Sequence, residues 1–264
     1  MPDKVKNSKI ARSFGKSSNS YDSSARLQRY SGQQILSFLP EEEQLTVVDL
    51  GSGTGFFSHI MVQKFDAVFA VDLSEDMLEF ARQHRDERIR WFHADMHHLP
   101  FDDHSVDVVY SNLAVQWSSN FSALLEEVHR VLKPGGRFIF TTLLDGTLNE
   151  LKQAWSVVDC DKHVNDFKSL EHIESDIHNS CFSVNSLVQH PLRLDYHSVK
   201  HLACELKGLG ANHVADKSRK GLSGRHAWLN MVNAYEAICV DNSSIVATYQ
   251  LCLAHLTKPL TSKA

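Results

Sequence analysis

No apolar run in this 264-residue chain reaches the ~18 residues that a membrane-crossing helix needs, so no membrane span is expected. Residues 1–14 also lack an apolar stretch. They are polar and basic and do not read as a secretory signal. Cysteine is sparse and unpatterned: Cys160, Cys181, Cys204, Cys239 and Cys252 are odd in number and lie 21, 23, 35 and 13 residues apart. With no C-x-x-C among them, neither a zinc knuckle nor a redox pair is indicated, and five free thiols suit a reducing cytoplasm. No internal repeat or low-complexity tract is visible. What is present is ordinary for a globular fold: 42% apolar and 22% charged residues, with 14 Phe, 4 Trp and 6 Tyr. That is ample apolar surface for a core, which excludes disorder as a description of the whole chain.

Charge is unevenly placed. Residues 1–29 hold seven Lys or Arg against Asp3 and Asp22, a net of +5. Residues 198–225 hold Lys200, Lys207, Lys217, Arg219, Lys220 and Arg225 against Glu205 and Asp216, a net of +4. The whole chain is at −5, so everything else carries −14. Two basic segments on an acidic body point to an anionic partner or to chance clustering on a solvated surface. Nucleic acid is disfavoured, because the chain is acidic overall and carries no recognised nucleic-acid motif.

Apolar β-type runs alternate with helical patterns. Strands are expected at 45–50, 67–72, 89–93, 106–110 and 137–143. Helices are expected at 56–64, from Ser74 as cap to about His84, and at 122–132, the last stopped by a Lys133-Pro-Gly-Gly136 turn. This order predicts an α/β fold with a doubly wound, mostly parallel sheet. Further on, helices are expected at 147–160, 169–178, 198–207 and 224–239. A long strand with an edge or bulge at Pro191 is expected over 182–196, and a last, antiparallel strand over 245–256. The chain reads as one domain, 1–264. A helical arm covers 1–40, a βαβ core 41–144, and helical additions at 145–181 and 197–242 lie over the active face.

The first strand runs into Asp49-Leu-Gly51-Ser-Gly53-Thr-Gly55. A glycine loop between strand and helix lets the backbone approach a ligand closely. The dinucleotide spacing G-x-G-x-x-G fails at Phe56, and the Gly-Lys-Ser/Thr of a phosphate loop is missing. A carboxylate two residues before the first glycine suits a cationic amino group rather than a pyrophosphate. Two further acids follow at strand ends: Asp72, 17 residues after Gly55, and Asp95.

This D-x-G-x-G-x-G loop, with acids at successive strand ends and Lys133-Pro-Gly-Gly136 before the fifth strand, resembles the Rossmann-like S-adenosylmethionine-dependent methyltransferases. The resemblance implies that Asp49, Gly51, Ser52, Gly53 and Gly55 surround the methionyl part of S-adenosylmethionine. Relatives often have Cys where Ser52 stands, a difference expected to be neutral because the loop works through its backbone. Asp72 would bind the ribose hydroxyls, Asp95 and the backbone of Met96 the adenine amino group, and Leu73 and Met77 would pack on the adenine.

Other segments narrow the family. Lys9-Ile-Ala-Arg-Ser-Phe-Gly15, Ser111-Asn-Leu-Ala-Val-Gln-Trp117, Leu206-Lys-Gly-Leu-Gly-Ala-Asn-His213 and Gly221-Leu-Ser-Gly-Arg225 resemble the malonyl-acyl-carrier-protein O-methyltransferases, the BioC family of biotin synthesis. The resemblance implies methyl transfer to the free carboxylate of a malonyl thioester on acyl carrier protein or coenzyme A. Such a carboxylate is already ionised at pH 7, so no general base is needed, only alignment and removal of water. The implied positioning residues are Tyr21, Gln28, Asn112, Gln116 and Trp117, with Asn112 also near the cofactor. Arg26 or Arg29 could pair the distal carboxylate or stay on a solvated face. His163 and Asn165 could belong to a lid. Carrier proteins are acidic, so the basic 198–225 segment is the expected docking surface. Three alternatives stay open: a small-molecule or quinone-precursor methyltransferase of the same fold, a non-catalytic S-adenosylmethionine-binding module, and a metal site at His93, Asp95, His97 and His98 with His104 nearby.

Overall fold

A computed structural model describes residues 11–209, 223–239 and 244–260. The arm supplies α1 (Ser18–Ser24) and α2 (Arg26–Leu36). Then follow β1 (Thr46–Leu50), α3 (Phe56–Met61), β2 (Ala67–Asp72), α4 (Glu75–His84), β3 (Arg90–His93) and β4 (Val106–Asn112). A short 3-10 turn (Val115–Trp117) leads to α5 (Phe121–Val131) and β5 (Leu132–Leu143). The remaining elements are α6 (Asn149–Ser156), α7 (Leu170–His178), β6 (Ser183–Tyr196), α8 (Val199–Gly208), α9 (Ser223–Ile238) and β7 (Ile245–Thr257).

The seven strands form one sheet in the order β3-β2-β1-β4-β5-β7-β6. Strands β1 to β5 pair in parallel, and β7 runs antiparallel between β5 and β6. Both faces of the central strands are covered, so β1 reads as a continuous apolar run whose alternate residues join different cores. Val47, with Val68, Val108, Tyr110 and Ile139, packs under the arm residues Leu27 and Ile35. Val48 and Leu50, with Val71, Val109, Phe138 and Phe140, pack under Leu124, Leu125 and Val128 of α5. As the Pro191 reading expected, β6 is an edge strand.

Helix starts follow side-chain caps. Ser74 Oγ accepts from Met77 N–H at 3.4 Å, and Glu75 and Asp76 occupy the first turn of α4, where the helix dipole favours acids. Asn120 caps α5, and Ser169 and Ser198 cap α7 and α8.

Three expectations need correction. Lys133-Pro-Gly-Gly136 is not a free turn but part of β5, with Leu132 already paired to Val106 and a register shift before Val108. Pro134 ends the helix, and Gly135, at φ 81°, bends the strand so that its N–H donates to Lys258 O at 2.8 Å. The helix expected over 147–160 is only α6, because Thr147 Oγ1 accepts from Gln250 N–H of β7 at 2.9 Å and Leu148 sits at φ 54°. Helix α3 likewise stops at Met61, and the chain turns through Val62–Phe65.

Candidate functional site

The carboxyl ends of β1 to β4 converge on the glycine loop, the usual ligand crevice of such sheets. Gly51, Gly53 and Gly55 have φ of 75°, 54° and 73°. At Gly51 a side chain would also run into Ala114, so only glycine fits there. Asp72 fixes the loop from the next strand: its Oδ2 accepts from Gly53 N–H at 2.8 Å and its Oδ1 from Ser74 N–H at 2.8 Å. Each carboxylate oxygen keeps a second lone pair for a ligand hydroxyl. Asp49 is 3% exposed and accepts from Ser58 Oγ at 2.5 Å. Burial pushes its carboxyl up to about 7, with the nearby Asp72 charge adding to the rise. Desolvation raises Asp72 as well.

Two small cavities flank the loop. One is lined by Tyr21, Gln28, Asp49, Gly51, Ser52 and Asn112, among others. The second is lined by Gly51, Asp72, Leu73, Asp95, Met96 and Trp117, among others. Met77 lies fully buried in α4 and lines neither. Among the described residues, the first cavity holds a buried Ser52 Oγ with no hydrogen-bond partner and a carboxyl, Asp49, with no ion-pair partner. Both are what a ligand bearing an ammonium group would satisfy, so the residues present fit the methionyl end of S-adenosylmethionine.

Beside them opens a larger cavity of about 490 Å³. Its walls are mostly apolar: Phe14, Leu113, Trp155, Val199, and Trp228 with Met231 of α9, come from five separate segments. Tyr21, Gln28, Gln116 and Trp117 line it, so four of the five expected positioning residues meet there. Burial, reinforced by Asp72, Asp22 and Asp49, raises the Tyr21 phenol well above its ordinary range and keeps it a proton donor. Gln116 donates from Nε2 to Leu113 O at 2.7 Å, while its Oε1 and that of Gln28 are buried without partners. Leu113 itself holds φ 51°, a strained position maintained by its N–H donating to Thr141 Oγ1 at 3.0 Å.

The fifth residue, Asn112, lines the smaller cavity on the Asp49 side and fastens the arm to the sheet. Its Oδ1 accepts from Ser31 and Thr141 hydroxyls at 2.7 Å each, and its Nδ2 donates to Gln28 O at 2.8 Å. Arg26 does not reach a carboxylate in the cavity. It pairs with Glu205 at 2.8 Å, and its guanidinium lies 4.5 Å from the Tyr196 ring centroid. Arg29 donates to Asp22 O at 2.6 Å and sits over Phe56. His163 lines the cavity, stacked on Trp155 at 3.8 Å between centroids, with Nε2 donating to Asp159 at 2.8 Å. Asn165 lines it as well.

Sequence reasoning missed the tie that closes the arm onto the glycine loop. Asp22 accepts from Thr54 Oγ1 at 2.6 Å and pairs with Arg85, whose Nε donates to Thr54 O at 2.8 Å. Asp22 and Arg85 are 63 residues apart, and no spacing rule links them. Of the basic residues expected to form a docking surface, Lys200, Lys207 and Arg225 are exposed, whereas Lys217, Arg219 and Lys220 lie outside the described residues. Among the described residues, no helix is long and apolar enough to cross a membrane, and no group of His, Cys, Asp and Glu is arranged to hold a metal.

Residues 48–140 match the methyltransferase domain family. The chain is 38% identical to malonyl-acyl-carrier-protein O-methyltransferase of Yersinia pestis, over 86% of this chain and 83% of that one. It is also 38% identical to the biotin biosynthesis bifunctional protein BioHC of Cellvibrio japonicus, over 97% of this chain. There it spans only 51% of the relative, about half its length. Among solved structures, the YcgJ protein of Bacillus subtilis superposes with a TM-score of 0.63 at 19% identity, covering 88% of this chain and 99% of that one.

Proposed function

The chain belongs to the malonyl-acyl-carrier-protein O-methyltransferase family, and we propose that it transfers a methyl group from S-adenosylmethionine to the free carboxylate of a malonyl thioester, capping it for biotin precursor synthesis. The observation that carries this reading is the adjacency of two unlike chambers. A crevice at the strand ends that holds Asp49, Asp72 and Asp95 opens beside a larger, mostly apolar cavity of 490 Å³, with Tyr21, Gln28 and Trp117 on the border.

When bound, S-adenosylmethionine supplies an electrophilic methyl group on a sulfonium. Asp49 and the Gly51–Gly55 backbone would hold its methionyl end, Asp72 its ribose, and Asp95, Met96 and Leu73 its adenine. The acceptor is an anion that water stabilises, and the apolar walls of the large cavity strip that water away. Neutral groups then orient it. The Tyr21 hydroxyl donates, and the Gln28 and Gln116 amides each have an oxygen to offer an N–H of the acceptor's thioester arm. A neutral donor suits this chemistry. Methyl transfer between carboxylate and sulfonium removes both charges, and a fixed cation on the carboxylate would stabilise the starting state more than the transition state.

The described parts of the arm (11–40) and of the additions (145–181, 197–209 and 223–239) would act as the cover over the core at 41–144. An acidic acyl carrier protein would dock on the exposed Lys200, Lys207 and Arg225, and the protein would work in the cytoplasm.

Intact-mass measurement of malonyl-acyl carrier protein incubated with the protein and S-adenosylmethionine tests the proposal. The expected result is a gain of one methyl group, absent with acetyl-acyl carrier protein and suppressed by S-adenosylhomocysteine. A folded protein that binds S-adenosylhomocysteine yet leaves the malonyl carrier unchanged overturns the assigned acceptor.

A further inference from the structure

The histidines that follow β3 do not share one role. His93 Nε2 lies 3.0 Å from Leu73 O, and its Nδ1 lies 3.4 Å from Glu75. His97 instead joins two distant parts of the site. Its backbone N–H donates to Asp95 Oδ1 at 3.0 Å, and its Nδ1 lies 2.8 Å from the same oxygen. A carboxylate oxygen only accepts, so Nδ1 carries the hydrogen, and Nε2 of the neutral ring is an acceptor. Nε2 takes the hydroxyl of Ser118 at 2.8 Å, and Ser118 Oγ in turn accepts from Asn120 N–H at 3.2 Å. The imidazole is well enclosed, with its side chain 15% exposed.

The two ends of this chain of bonds stand on different walls. Asp95 and His97 line the cavity that also contains Asp72 and Leu73. Ser118 and Asn120 line none of the three cavities but directly follow the 3-10 turn carrying Gln116 and Trp117. Trp117 lines both the Asp72 cavity and the 490 Å³ cavity.

We infer that His97 is a positioning residue that couples the cofactor crevice to the acceptor cavity. Ser118 sets the ring, the ring sets the Asp95 carboxylate, and a ligand resting on Asp95 and Trp117 steadies the turn that walls the acceptor cavity. This rests on reading the Asp72 cavity as the nucleoside end of the S-adenosylmethionine site.

The test is calorimetric binding of S-adenosylhomocysteine to the full chain and to His97→Phe, Ser118→Ala and the double variant, with near-ultraviolet circular dichroism confirming the fold. His97→Phe is expected to weaken binding about tenfold, as losing the partner that orients a ligand-binding group typically does. Ser118→Ala is expected to weaken it about threefold although Ser118 does not line the crevice, and the double variant should match His97→Phe alone, because the serine acts through the ring. The same variants should raise the KM for a malonyl thioester. Ser118→Ala binding like the native chain, or losses that multiply in the double variant, overturns the coupling. Ser118→Ala removes a single hydroxyl and stands as the deciding variant if His97→Phe does not fold. A native chain that fails to bind S-adenosylhomocysteine overturns the cofactor reading instead.

Discussion

At the glycine loop, most polar partners lie within the sheet core: Gly53 N–H donates to Asp72 at 2.8 Å, and Asp49 accepts from Ser58 in the first turn of α3, with Asp22 of the arm joining at Thr54. At the large cavity the walls come from Phe14, Leu113, Trp155, Val199 and Met231, which meet only when the arm and the helical additions have closed over the sheet. The first wall is held by backbone geometry that any sheet of this order provides. The second is held by side chains such as Arg26 of α2 on Glu205 of α8. The difference sets what the sheet order provides apart from what the arm and the helical additions build over it; under the proposed function, the first would serve the cofactor and the second the acceptor.

Substitutions on the two walls should therefore fail in different ways. The largest effect is expected from Gly51→Val. A β-branched residue cannot hold φ 75° beside Ala114, so S-adenosylhomocysteine affinity should fall more than ~100-fold while the sheet stays folded. Binding by calorimetry within tenfold of native would remove the loop from the cofactor site.

The next effect is a pH dependence. In the free chain the Asp49 carboxyl sits at about 7, above its ordinary range, and an ammonium partner favours its ionised form. Below pH 7 the ligand must displace a proton, so affinity should fall by up to about tenfold per pH unit, with proton release on binding. Above pH 7 this dependence disappears. Asp49→Asn should bind weakly at every pH, without that slope. A native profile flat from pH 5 to 8 would deny Asp49 the amino group.

On the other wall, Trp155→Ala removes an indole that lines the cavity and carries His163. The KM for a malonyl thioester should rise about tenfold with S-adenosylhomocysteine affinity unchanged, in line with the cost of losing one large apolar contact. Equal loss of both would show that the two walls are not independent.

Smallest of all, Lys200→Glu, at an exposed residue that does not line the large cavity, should raise the KM for malonyl-acyl carrier protein about threefold at low salt, less at high salt, and leave malonyl-CoA untouched. The same change on both substrates would deny Lys200 a role in docking the carrier.

The first wall was legible in the chain. Asp49, Gly51 and Asp72 lie at strand ends that apolar periodicity marks, and the sheet order brings such ends together. The second was legible only in part. Tyr21, Gln28, Gln116 and Trp117 came from resemblance, and the structure gathers them at one cavity. For Arg26 the chain left two readings open, a carboxylate partner in the cavity or a solvated face, because its partner Glu205 lies 179 residues away in sequence. The Asp22–Thr54–Arg85 tie and the His97–Ser118 bond have no linear signature, since each joins loops whose separation no periodicity encodes. Lys133-Pro-Gly-Gly136 was misread for a different reason. Proline and glycine mark a break in a helix but do not say whether a turn or a bent strand follows.

The position of β7 bears on how the protein is made. The strand that follows all others in the chain lies inside the sheet, between β5 and β6. During synthesis β1 to β5 can pair as they emerge, but β6 has no strand beside it until residues 245–257 appear. The backbone of β6 can therefore complete its ladder only once residues 245–257 have been made, so the order of synthesis and the order of strands in the sheet run against each other at this edge.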